Sequence, residues 1–186
     1  SLFPDPIIKI APFRPKITPK PGTGTGHKLA PYSLPKDDLP EHLLQELEEF
    51  KQFRITGGSN TRRTVSERRQ HREEREARRP KIEQVKPSTF NKDEHLIMCF
   101  LGWYKQEHPD LELHLKLLTD VELVDEYTDW AVTTRSVCHS TGVNMAKTAI
   151  AIAKWLNYSK STRRNWSDVQ EILDLKDLRN EFAEKY

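Results

Sequence analysis

The chain has 186 residues, 35% apolar and 31% charged, with a net charge of +2. An average globular chain is roughly 45–50% apolar with glycine counted, so part of this one is expected to lie outside any core. No apolar run approaches the ~18 residues that a membrane span needs, and no basic-then-apolar leader opens the chain. Two cysteines, Cys99 and Cys138, cannot build a disulfide framework. The expectation is an intracellular protein with free thiols and no membrane partner, and the start at Ser1 reads as a processed product or a piece of a larger protein.

Residues 1–40 contain nine of the twelve prolines. Each fixes φ and removes a backbone donor, which predicts an extended arm. Lys9, Arg14, Lys16, Lys20 and Lys28 make the arm basic; it reads as a linker, with tracking of a nucleic-acid backbone as the other use. Gly22-Thr-Gly-Thr-Gly-His-Lys28 is not a phosphate loop, because no strand precedes it and no Gly-Lys-Ser/Thr opens a helix. Residues 41–56 form a short amphipathic segment, with a helix expected from Asp38 to Arg54. Leu43, Leu47 and Phe50 share a face, Leu44 lies beside them, and Gly57-Gly58-Ser59-Asn60 stops the helix. Residues 57–90 are arginine-rich. Arg62, Arg63, Arg68, Arg69, Arg72, Arg75, Arg78 and Arg79 meet only Glu67, Glu73, Glu74 and Glu76 between residues 61 and 79. With no apolar stripe this is no core helix; it reads either as a phosphate footprint or as a solvated helical or disordered spacer.

Residues 91–186 read as an all-α domain, a small bundle of four or five helices. Asn91 with Glu94 makes a capping box for a helix to about Gln106, with Leu96, Ile97, Phe100, Leu101 and Tyr104 inward. Leu111 to Leu118 reads as a helical turn or packed loop rather than a strand. Thr119 with Glu122 makes a second box for a helix to about Thr134 carrying Val121, Val124, Tyr127, Trp130 and Ala131. Ser140 or Thr141 caps a third, with Val143, Ala146, Ile150, Ala153 and Leu156 inward. Trp166-Ser167-Asp168 opens a fourth, with Val169, Ile172, Leu175, Leu178 and Phe182. Trp103, Trp130 and Trp155 are the expected anchors of the core or its edge. The charge divides unevenly: residues 1–94 hold 19 Lys/Arg against 14 Asp/Glu (+5), and residues 95–186 hold 11 against 14 (−3).

None of the seven histidines sits in an H-E-x-x-H pattern or beside a nucleophile elbow. His95 and Cys99 stand at i, i+4, but a structural zinc needs four ligands, and Cys138-His139 would have to complete it. Cys99 within an apolar stripe reads as a small core residue. No catalytic residue, metal site or cofactor is expected.

The order His95-Leu-Ile-Met-Cys-Phe-Leu-Gly-Trp-Tyr104, then Val124-Asp-Glu-Tyr-Thr-Asp-Trp130 running into Arg135, then Ser140-Thr141 and Ala151-Ile-Ala-Lys-Trp-Leu156, resembles the core-binding domain of tyrosine recombinases and phage-type integrases. The resemblance covers roughly residues 91–186. It implies a SAM-like helical fold, double-stranded DNA as partner, other recombinase protomers as further partners, and a role in DNA integration and recombination by holding one face of a duplex half-site. It also implies that the helix ending near Arg135 and the helix opening at Thr141 approach the major groove. The candidate DNA-binding residues are Arg135, Thr141, Asn144, Lys147, Thr148 and Lys154, with the basic turn of Lys160, Arg163 and Arg164. The family's catalytic set is missing: no His-x-x-Arg occurs, and Tyr186 has no arginine-rich surround, so cleavage by this chain is not expected. The competing reading is a helical protein–protein interaction module with no nucleic-acid role.

Overall fold

The computed structural model describes residues 31–57, 82–158 and 166–185. The described residues form five α-helices and three short 3-10 turns, with no strand among them. The architecture is an all-α helical bundle, as the periodicity predicts. The expected arm before residue 31, the arginine-rich residues 61–79, and Lys160, Arg163 and Arg164 lie outside the described residues.

Helix α1 spans Glu41–Thr56 and buries Leu43, Leu47, Phe50 and Phe53. The spacing of four, three and three holds these side chains on one stripe. The helix starts after Pro40, and Gly57 ends it in the left-handed region at φ 65°. The expected start at Asp38 is three residues early, because Lys36–Asp38 forms a separate 3-10 turn before the prolyl N-cap.

Helix α2 spans Pro87–Glu107. The expected capping box at Asn91 is corrected: proline at the first helical position, where its missing N–H is not needed, starts the helix a full turn earlier. Glu94 instead pairs with Lys36 at 2.6 Å. After a 3-10 turn at Leu115–Thr119, α3 spans Val121–Arg135. Its cap is Asp120, whose carboxylate accepts from the Glu122 and Leu123 N–H groups. Thr119 is not the cap; its hydroxyl donates to the Lys116 carbonyl at 2.8 Å within the turn. Helix α4 spans His139–Tyr158, so Ser140 and Thr141 belong to its first turn. Trp166–Asp168 is a 3-10 turn of its own, and α5 follows from Gln170 to Glu184.

Helix α4 is the axis of the bundle: it packs on each of the other four helices, most broadly on α5. Its buried residues are mainly small, including Gly142, Ala146, Ala149, Ala151 and Ala153. Gly142 shows why, since a Cβ there would lie 2.7 Å from Thr128 of α3 and 3.1 Å from the Phe182 ring of α5. Trp103 is buried in the core, and Trp130 and Trp155 are half-buried against its edge.

The boundary expected at residue 91 does not divide the core. Leu39 and the α1 stripe join the same apolar cluster as α2 to α5. Phe50 meets the rings of Phe90 and Trp155 at centroid distances of 5.8 and 5.7 Å. A lone amphipathic helix needs a surface for its stripe, and α2 and α4 provide it. The last ten residues of the expected arm also dock. The Leu34 N–H donates to the Met98 carbonyl at 3.0 Å, and the backbone at Tyr32–Leu34 lies across Gly102. A Cβ on Gly102 would run into the Tyr32 carbonyl oxygen, so only glycine admits this strap.

Candidate nucleic-acid interface

The end of α3, the three residues Ser136–Cys138 and the start of α4 make a tight corner. Ser136 adopts the left-handed conformation at φ 53° and ends α3. Arg135 is half-buried at this end, its guanidinium carbon 4.6 Å from the centre of the Tyr32 ring. Tyr32 is in turn packed edge-on to Trp130 at 4.9 Å and shares a 3.3 Å hydroxyl contact with Tyr127. Burial pushes the Tyr127 phenol far above its ordinary range, and the Tyr32 hydroxyl adds to the shift, so Tyr127 stays neutral. The corner thus rests on a rigid aromatic base.

Six of the nine candidate residues are described, and the structure separates them. Asn144 and Lys147 are exposed, one turn apart on α4; Thr141 is half-buried in the turn before. Among the described residues Lys147 makes no ion pair. These three and Arg135 belong to the two sides of the corner. Thr148 does not join them. It is 1% exposed and donates to Asp93 Oδ1 at 3.2 Å and to the Asn144 carbonyl at 3.1 Å. Asp93 also holds Arg54 of α1 in an ion pair at 2.9 Å with both side chains largely covered. The hydroxyl expected at a base edge therefore ties α4 to α2 and, through Asp93, to α1. Lys154 is half-buried, with its ammonium 5.9 Å from the Trp166 ring centre. Burial lowers its pKa, and Lys176 lowers it further. It sits two turns beyond Lys147, where α4 is sunk into the bundle, and is not part of the exposed strip.

One charge pattern was missed in the helix-by-helix reading. From residue 130 to residue 167 no Asp or Glu occurs, while Arg135, Lys147, Lys154, Lys160, Arg163 and Arg164 do. The negative balance of the helical half therefore resides elsewhere. Part of it lines a cleft of about 710 Å³ where Glu46, Asp120, Glu171 and Asp174 face Lys116 and His114. That cleft disfavours a phosphate backbone, since four carboxylates outnumber its one lysine and one histidine. The first turn of α4 has no acidic residue and lies at the positive end of the helix dipole, with the Thr141 N–H held by the Cys138 carbonyl at 2.8 Å.

The two thiols differ in their surroundings. Cys99 is buried, which pushes its pKa up, and its Sγ lies 3.7 Å from His95 Nε2. Cys138 is exposed, with Ser140 Oγ at 3.1 Å. His95, Cys99, Cys138 and His139 do not come together as ligands; the described cluster of metal-binding type is His42, Glu112 and His114, which the spacing search passed over. No helix among the described residues is long and apolar enough to cross a membrane. No protein-family model, curated protein or solved structure matches the chain.

Proposed function

We propose that the chain is a DNA-binding module of a site-specific tyrosine recombinase or integrase, which holds one face of a duplex half-site and leaves strand cleavage to another domain. The observation that carries the reading is the α3–α4 corner: an acid-free stretch of 38 residues (130–167) whose exposed strip on α4 presents Asn144 and Lys147, with Arg135 at the end of α3. A helix whose first turns alone are exposed inserts by its N-terminal end, the geometry used by helices that read the major groove. Lys147 and Arg135 suit phosphates, and Asn144 suits an adenine edge. Thr148 and Lys154 leave the contact set because the fold occupies them. The protein-docking alternative gains little support, since Leu44 and Leu111 are the exposed large apolar side chains among the described residues.

The test is duplex binding by fluorescence anisotropy across a salt series. Affinity falls steeply with salt, and Lys147→Ala lowers the slope of log K against log salt by about 0.9, the loss of one phosphate contact. Asn144→Ala weakens binding to the preferred sequence and leaves random duplex unchanged. An unaltered slope and affinity in Lys147→Ala removes this face from the proposal. Absence of binding at low salt removes the function.

A further inference from the structure

We propose that His42, Glu112 and His114 form a binding site for a transition-metal dication of the Zn²⁺ class, which clamps the segment before the Leu115–Thr119 turn onto α1. The site is independent of the DNA-binding proposal.

Its parts follow from two local periodicities. His42 and Glu46 stand four apart on α1, one above the other on the helix surface. Glu112 and His114 stand two apart across Leu113, which is buried at 4% exposure. His114 is extended at φ −140° and ψ 150°, so its side chain and that of Glu112 lie on the face opposite Leu113. Packing Leu113 into the core thus lays Glu112 and His114 over the exposed flank of α1. One ligand atom from each of His42, Glu112 and His114 falls within 4.8 Å of the other two.

The surrounding hydrogen bonds hold both rings. His114 Nδ1 donates to Glu46 Oε1 at 3.0 Å, and Glu46 is itself fixed by the Leu115 N–H at 2.8 Å. A carboxylate accepts only, so His114 Nδ1 carries the proton; Nε2 faces the Glu112 carboxylate at 3.5 Å, where a dication would take the place of a proton. His42 Nε2 lies 2.8 Å from the Leu113 carbonyl, which accepts only, and 3.8 Å from Glu112 Oε1. The Glu46 carboxylate thus anchors the His114 ring from outside the site, as outer-shell groups orient metal-bound histidines, and His42 reaches a cation by giving up or turning about its carbonyl contact. The rings stand 4.8 Å apart at 44°. His114 Nε2 and Glu112 Oε2 are 3.5 Å apart, close to the ~3.4 Å between neighbouring ligands of tetrahedral zinc with bonds of 2.0–2.2 Å. Glu112 is exposed and free to supply the remaining movement. Two imidazoles and one carboxylate suit zinc, cobalt or nickel rather than magnesium or calcium, which take oxygen ligands. The fourth position is open to water.

The experiment is calorimetric titration of the whole chain with ZnCl₂ and with MgCl₂, together with the visible spectrum of the Co²⁺ form. The expected result is one saturable Zn²⁺ per chain, no Mg²⁺ binding, and a Co²⁺ spectrum without thiolate charge transfer. His114→Ala and Glu112→Gln each weaken Zn²⁺ binding by at least about tenfold. Glu112 is at the surface, so Glu112→Gln keeps the fold even if His114→Ala does not. Unchanged Zn²⁺ affinity in Glu112→Gln, a thiolate band lost on Cys99→Ser, or no saturable Zn²⁺ binding each overturns the proposal.

Discussion

Removing the Asp93 carboxylate leaves the largely covered Arg54 guanidinium without its acceptor, while the Thr148 hydroxyl keeps the Asn144 carbonyl. The cost is therefore mainly that of a covered, unpaired cation rather than of a surface pair. Asp93→Ala is expected to destabilise the fold by about 2–3 kcal/mol in urea unfolding. Arg54→Ala should add little to it in the double variant, because the two act on one network. Full additivity would show that the pair is not coupled. Gly102 is the second sensitive position. Gly102→Ala gains helix propensity on α2 but pushes the Tyr32–Leu34 backbone away, for a net loss of about 1–3 kcal/mol. Near-UV circular dichroism should change with it, since Tyr32 leaves the rings of Trp130 and Tyr127. These residues also mark where sequence reading stops. The periodicity of α4 places Thr148 beside Asn144 and Lys147, and nothing local says that Asp93 meets it from α2. Likewise His42–Glu46 and Glu112–His114 are ordinary spacings until Leu113 is buried and brings the two pairs together.

At the scale of elements, the apolar stripes predicted most inward residues of α1, α2, α3 and α5, because the stripe is what the core selects, whereas on α4 they found Ala146, Ile150 and Ala153 but not Met145, Thr148, Ala149 or Ile152. The ends were less legible. Pro87, the Asp120 cap and His139 start their helices where other cap patterns stood nearby in the sequence; for α3 the preceding 3-10 turn holds Thr119 and leaves Asp120 as the cap. Helix α1 was legible as an amphipathic helix but not as part of the bundle, since its partners follow a long arginine-rich stretch. A fragment of residues 88–186 therefore lacks the α1 stripe that covers Phe90 and Trp155. That fragment should lose cooperative melting and bind a hydrophobic dye, while residues 31–186 melt as one unit. A sharp transition in the shorter fragment at the same temperature would show that α1 is dispensable. DNA-binding comparisons are sound only with α1 present.

For the whole molecule, the separation of charge decides how a duplex approaches. The acid-free stretch and the acidic cleft belong to one fold, so the protein has an electric orientation that its net charge of +2 conceals. Reversing one charge in the cleft, as in Asp174→Lys, should alter duplex affinity less than Lys147→Ala does. Stopped-flow association rates at low salt would measure both. Equal effects would mean that overall charge, and not the corner, governs binding.

The packing of α1 onto α4 also sets an order on the birth of the protein. Phe50 finds Trp155 only when roughly 100 more residues have been made, which at about 5–20 residues per second is on the order of 5–20 s. Through that interval the stripe of Leu43, Leu47, Phe50 and Phe53 emerges from the ribosome with one of its two partner helices, α4, still unwritten. The nascent chain is thus a natural client for chaperones that shelter short apolar helices, and fusing or slowing it upstream of α4 prolongs the exposure.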